Sequence, residues 1–222
     1  MWAFAFPASE VLLQSWGVVA LLLARTVLAV GTLTIIWLWI DGFENIKSAP
    51  WLHGLKIGGI GFGIGAILLL VGQKMSDPVT PAIAAAMMPI AGAAVEVVLE
   101  KRVLKLHLII AIILAFIGGI LAGGVNFNDV SFGLGALFCL IAIVLFAWVT
   151  HATTYDLKSL SPIGQTTITL IGSLIVVTAV YVVSLAGGIK GTHVGLIGAT
   201  ELTLLILSLI HISEPTNLST SR

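Results

Sequence analysis

The sequence predicts an all-α protein, a polytopic transmembrane helical bundle, and three observations carry that expectation. Of its 222 residues, 59% are hydrophobic and only 9% are charged, against roughly 25% charged in an ordinary soluble domain; mean hydropathy is +1.15. Apolar stretches of about 20 residues, long enough to cross a hydrocarbon core, follow one another through short polar joints. Inside those stretches apolar and polar residues do not alternate, as they would in a membrane β-barrel. The formal net charge is zero, so nothing points to nucleic acid as a partner. The single Cys139 lies inside an apolar run, which leaves no disulfide framework or thiolate metal site, and it reads as a small buried filler.

Met1 to Leu13 is an apolar start too short to span, interrupted by Pro7 and Glu10, and it lacks the basic leader and cleavage site of a signal peptide. Ser15 to Ile40 is a full span that holds Arg25 and closes on Trp37 and Trp39, residues suited to a membrane interface. Asp41 to Trp51 is a polar joint. Gly54 to Gly72 spans again, with Gly59/Gly63 and Gly61/Gly65 at four-residue spacing, which admits a neighbouring backbone at close range. Pro78-Val79-Thr80-Pro81 then opens the apolar stretch Ala82 to Leu99, interrupted by Pro89 and Glu96. A basic hinge, Glu100-Lys101-Arg102 with Lys105 and His107, leads into Val103 to Val125, which carries no charge after Lys105 and offers Gly118 and Gly119 for packing. After Asn126 to Asp129, Ser131 to Ala152 spans and ends in Trp148 and His151. The joint Tyr155 to Pro162 precedes the span Ile163 to Ala186, and a last apolar run begins at His193 and fades into Ser213-Glu214-Pro215.

Lysine and arginine collect in short cytoplasmic loops, so their distribution orients the bundle. If the joint Asp41 to Lys56 is inside, then Lys47, Lys56, Lys101, Arg102, Lys105 and Lys158 all are, and the opposite joints hold only Lys74 and Lys190. The expected orientation therefore places the basic hinge in the cytoplasm. A weak internal repeat accompanies it. The shift that lays Trp2 on Trp148 also lays Glu10 on Asp156 and Ser15 on Ser161, and brings Gly58-Gly59-Ile60-Gly61 near Gly195-Leu196-Ile197-Gly198. An odd number of spans between the copies inverts them, an arrangement typical of secondary transporters.

The proline-opened stretch, Ala84 to Ala86, Met88-Pro89, the small residues Ala91 to Ala94, Glu100-Lys101-Arg102 and Ile117-Gly118-Gly119-Ile120-Leu121-Ala122-Gly123 together resemble the end of an EamA-like repeat of the drug/metabolite transporter (DMT) superfamily. The resemblance runs from Trp2 to about Ala199, and Arg25 stands where such repeats often carry an arginine early in their second helix. It implies an inverted-repeat DMT-type fold, here incomplete, with about seven to eight of the family's ten helices. Residues 1–125 then form a first repeat with a truncated first helix, and 126–206 a partial second repeat. Leu207 to Thr216 is what a transposase-type sequencing adapter encodes when read through, so 207–222 is expected to be a non-native tail.

An ionisable residue within a span is a functional candidate because it is costly there, by roughly 2.5–3.5 kcal/mol on insertion scales. Glu96 and Glu100, one helical turn apart, share a face. Glu96 reads either as a carboxylate for substrate or proton coupling or as an interfacial partner of Lys101 or Arg102. Arg25 reads either as a substrate ligand or as a structural partner of carbonyls or a carboxylate. Pro89 removes a backbone hydrogen bond and so reads as a kink, lining a cavity or simply packing. Trp148 and His151 share a face one turn apart, as an aromatic wall with a titratable group or as interface residues. The resemblance implies a secondary transporter of small metabolites or drugs, an exporter acting by alternating access in the cytoplasmic membrane of a prokaryote. Its partners would be the lipid bilayer and a small-molecule substrate, with proton coupling as one option. The alternative is a non-transporting scaffold or subunit that binds partner helices through its small-residue faces. No cofactor, metal or enzymatic activity is expected, since HExxH, GxSxG, Walker A and paired Cys/His spacings are absent from the sequence.

Overall fold

Long apolar stretches closed off from water must satisfy every backbone polar group within themselves, and in this chain they do so as helices. The computed structural model describes residues 11–76, 79–101, 133–188 and 191–195, with scattered positions between 106 and 117. The elements are α1 (Val18–Lys47), α2 (Trp51–Ile57), a π-helix (Gly58–Ile64), α3 (Gly65–Met75), α4 (Val79–Ala86), α5 (Met88–Glu100), α6 (Leu134–Asp156) and α7 (Pro162–Ala186). Among the described residues no strand occurs. Four helices are long and apolar enough to cross a membrane, Val18–Lys47, Trp51–Met75, Leu134–Asp156 and Pro162–Ala186. A fifth apolar length is broken, Thr80–Ala86 and Met88–Glu100 meeting at 45°. Most of the expected span over 103–125, the start before residue 11 and nearly all of the run from His193 lie outside the described residues.

The chain forms two compact units, one of Met1–Ile64 with Ala152–Arg222 and the other of Gly65–His151. In the first, α1 buries Val18, Leu22, Thr26, Ala29, Leu33 and Trp37, a stripe at three- and four-residue steps. Ala29 and Leu33 pack on Leu170 of α7. The joint expected after Ile40 is shorter than its polarity suggests, because the helix breaks at Gly42 (φ 74, ψ 165) and then winds on to Lys47. Only glycine takes that φ without strain, and Asn45 Nδ2 donates to the Asp41 carbonyl at 2.7 Å to hold the extra turn.

Each end of this unit has its own answer to the unpaired backbone groups of helix termini. Gly17, at the start of α1, brings no capping side chain. Instead the N–H of Gly17 donates to the His193 carbonyl at 2.9 Å and that of Val19 to the Gly191 carbonyl at 3.2 Å, so the 191–195 loop caps the helix. At the other end, Ser161 caps α7 by accepting from the Gly164 N–H at 3.1 Å, with Pro162 in the first turn. The Ser161 hydroxyl donates in turn to Asp41 Oδ2, which also accepts from Trp37 Nε1 at 2.9 Å. Trp37 lies 5.9 Å from Trp51, ring to ring. One carboxylate thus joins the end of α1 to the start of α7.

The tightest packing is where α2 and the π-helix cross α7. A Cβ at Gly58 would land on the Thr169 backbone, one at Gly172 on the Leu55 carbonyl, and one at Gly54 2.7 Å from Ile168 Cγ1. Gly59 and Gly63 face Gly172, Ser173 and Val176. The sequence points to Gly59, Gly61, Gly63 and Gly65 as packing residues, and all four are buried; the deepest contacts, at Gly58 and Gly172, it does not single out. In the second unit Gly65 lies under Phe146, and Gly72 meets Gly135 and Cys139. Cys139 is fully buried, as expected of a filler.

Overpacking such contacts costs about 1–3 kcal/mol or more. Gly58→Ala and Gly172→Ala are therefore expected to lower thermal stability in detergent by at least that much. Gly31→Ala, where nothing stands within 4 Å of the new Cβ, is expected to gain up to ~1 kcal/mol from helix propensity. Asp41→Ala strands the Trp37 N–H and the Ser161 hydroxyl, and the same melt should show a loss of about 1–3 kcal/mol.

Candidate functional site

The features with chemical content in the second unit gather along α5 and α6. Their geometry begins at the break between α4 and α5. Pro81 is fully buried and Ala84 nearly so, while Met87 turns the chain, its N–H on the Ala84 carbonyl at 3.0 Å and its carbonyl accepting from Ala91 N–H at 3.0 Å. Pro89 follows in the first turn of α5, where a missing N–H leaves no intrahelical bond unmade. Its effect is therefore to begin a new helix at an angle, rather than to bend a continuous one, and its ring is exposed.

From that start α5 carries Glu96, half-buried, and Glu100 one turn on. Lys101 ends the helix in the left-handed region (φ 52, ψ 31), a terminating conformation that is uncommon outside glycine and asparagine. Glu100 Oε1 lies 3.0 Å from His151 Nε2 on α6, with the His151 side chain 13% and the Glu100 side chain 27% exposed. With the imidazole protonated the contact is an ion pair, and with it neutral a hydrogen bond. Partial exposure keeps its worth modest. Trp148 stands one turn back from His151 on α6, as Glu96 does from Glu100 on α5. The pair thus links the ends of two helices, with a second carboxylate and an aromatic surface one turn deeper along each.

Arg25 belongs to the first unit. It lies about 10 Å along α1 from Val18, on the face of Leu21 and Ala29, both buried, and its Nε atom is itself buried. Leu21 packs with Leu12, Trp16 and Ala20, and Tyr181 adds to that cluster. Of the other expected positions, Lys101 is placed as above, while Arg102, Lys105, Gly118 and Gly119 lie outside the described residues. Among the described residues no group of three or more His, Cys, Asp or Glu side chains is arranged to hold a metal ion.

Sequence reasoning placed Glu100 and His151 at span ends but did not join them, because a contact between positions 51 apart in the chain leaves no local signal. The Asp41–Ser161 link was equally hidden. Half of it was legible, since serine before proline is a helix start.

These features define a polytopic α-helical membrane protein, with four complete spans and a broken fifth among the described residues. The family model of the EamA-like transporter family matches residues 1–124, more than half of the 222 residues, and the chain belongs to that family. It is a membrane transporter of the drug/metabolite type. No curated protein and no solved structure matches it.

A double-mutant cycle of Glu100→Gln and His151→Gln, read by thermal unfolding in detergent, is expected to give a coupling of about 0.5–1 kcal/mol, the range for a contacting but partly exposed pair.

Proposed function

We propose that this transporter exports small metabolites or drugs across the cytoplasmic membrane of a prokaryote, by alternating access between inverted repeats over 1–125 and 126–206. The observation that carries the reading is the broken span. Helices α4 and α5 meet at 45°, and discontinuous helices of this kind supply substrate and coupling-ion contacts in secondary transporters. Glu96 is the group we assign to substrate or proton coupling, being an ionisable residue half-buried within the second half of that span. Trp148 offers a flat surface to an aromatic or cationic substrate, and His151 a titratable partner at the helix end. Arg25, buried in α1, is assigned to the substrate pathway in the first unit. Pro89 fixes where the break falls.

The expected orientation draws support from the Asp41–Ser161 bond. It gathers the joint that carries Lys47 and the joint that carries Lys158 at one end of the first unit, as the distribution of basic residues requires of two cytoplasmic joints.

Counterflow uptake into proteoliposomes of the full-length protein, over a broad panel of metabolites and drugs, tests the proposal. At least one compound is expected to exchange in a saturable way. Glu96→Gln is expected to slow that exchange about tenfold, or ~1.4 kcal/mol in the barrier, while Glu44→Gln, an exposed position outside the pathway, leaves it unchanged. No exchange across the panel overturns the reading.

A further inference from the structure

A buried indole N–H is usually bonded, because leaving it unpaired costs about 1–3 kcal/mol. Trp16 departs from that rule. Its side chain is 2% exposed, and its Nε1 is buried with no hydrogen-bond acceptor. A tryptophan of the membrane interface would turn this edge to headgroups and water, whereas Trp16 turns it inward. A Cβ at Gly195 would stand 2.5 Å from its Cδ1 and 2.6 Å from Nε1, so the pyrrole edge faces the bare backbone of the 191–195 loop. That loop's carbonyls serve other donors. Gly191 and His193 accept from the amides of Val19 and Gly17 at 3.2 and 2.9 Å, and Thr192 accepts from the Tyr181 hydroxyl at 3.4 Å.

The surroundings of this donor are electropositive. Trp16 packs with Leu12, Ala20 and Leu21 at the first turn of α1, the end at which a helix dipole is positive. The amides that open a helix have no acceptor within it, and the 191–195 loop takes those of Gly17 and Val19 but not those of Val18 and Ala20. Arg25 follows Leu21 by one turn on the same face, with its Nε buried. His193 is exposed beside the helix start. Among the described residues of this unit the acids are Asp41, Glu44 and Asp156, and they belong to the opposite end, where Asp41 meets Ser161. An anion is favoured at the start of α1 and a cation is repelled.

We propose that Trp16 is a specificity-determining residue of the transport path, its indole N–H donating to an anionic oxygen of the substrate, a carboxylate above all. The start of α1 and Arg25 supply the charge that attracts such a group, and the N–H supplies the direction. Phenylalanine would fill much of the same space with no donor to leave unpaired, so the indole has a purpose when an acceptor visits it. Nε1 is covered in this structure, and its uncovering rests on the alternating access proposed above.

Proton–nitrogen NMR of the indole groups, on full-length protein in phosphatidylcholine nanodiscs, tests this by binding alone, so its failure is distinct from a failure of the exporter reading. Trp16→Phe identifies the Trp16 signal by its loss. Benzoate is expected to move that signal saturably, and benzylamine and benzyl alcohol, with the same ring and a different charge, to leave it in place. Benzothienylalanine in place of Trp16 keeps the shape and deletes the N–H. It should weaken benzoate binding about tenfold by calorimetry, as loss of a hydrogen bond to a charged group requires, while the melting temperature without benzoate stays level or rises because no bond has been removed. A lower melting temperature with unchanged benzoate binding would make the N–H purely structural and overturn the proposal. So would a Trp16 signal that benzoate does not move, that benzylamine moves equally, or that answers only to phosphatidylglycerol added to the nanodisc, which would make the acceptor a lipid headgroup.

Discussion

The backbone of α7 passes so near the backbones of α2 and the π-helix that, at Gly58 and Gly172, there is no space for a methyl group. In a bilayer this closeness takes the place that water exclusion holds in a soluble core, because lipid tails solvate leucine as well as another leucine does. Dispersion between atoms in contact falls off steeply with distance, so the helices associate where small residues let main chains touch. The rest of the first unit follows from that crossing. Its position along α7 decides which residues line up with Gly58. Ala29 and Leu33 on Leu170 extend the same contact to α1.

Polarity is handled at the ends. Backbone groups in mid-membrane are satisfied by the helices themselves, and those at the termini need separate partners. Three of the described termini show three different solutions: a loop's carbonyls at the start of α1, a serine hydroxyl at the start of α7 and a left-handed lysine at the end of α5. Asp41 and Glu100, carboxylates whose partners are described above, lie at helix ends too, where residual water lowers the cost of their charge.

Much of the fold was legible in advance because it depends on local composition. An apolar run of sufficient length, closed by tryptophan or a basic residue, is a span whatever packs on it, so α1, α6 and α7 fall where the sequence put them. What stayed hidden depends on partners distant in the chain. The glycines near position 60 announced a close contact, but not that the contact would centre on Gly58 and Gly172, since that choice is made by α7. Asp41 looked like an ordinary loop acid, and only the nearness of Ser161 and Trp37 makes it a junction. Pro89 was read as a bend within a helix. The break comes one turn-forming residue earlier, at Met87, because proline tolerates the first turn of a helix better than its middle.

The loop over 191–195 has a consequence for how the protein is made. The first-turn amides of α1 take their acceptors from Gly191 and His193, residues that the ribosome adds only after α7. Until then the leading end of α1 has no protein acceptor for those two groups. It must wait among headgroups and water, and it settles into its final depth only once α7 has been inserted. A span made before α7 is in this sense finished only after it.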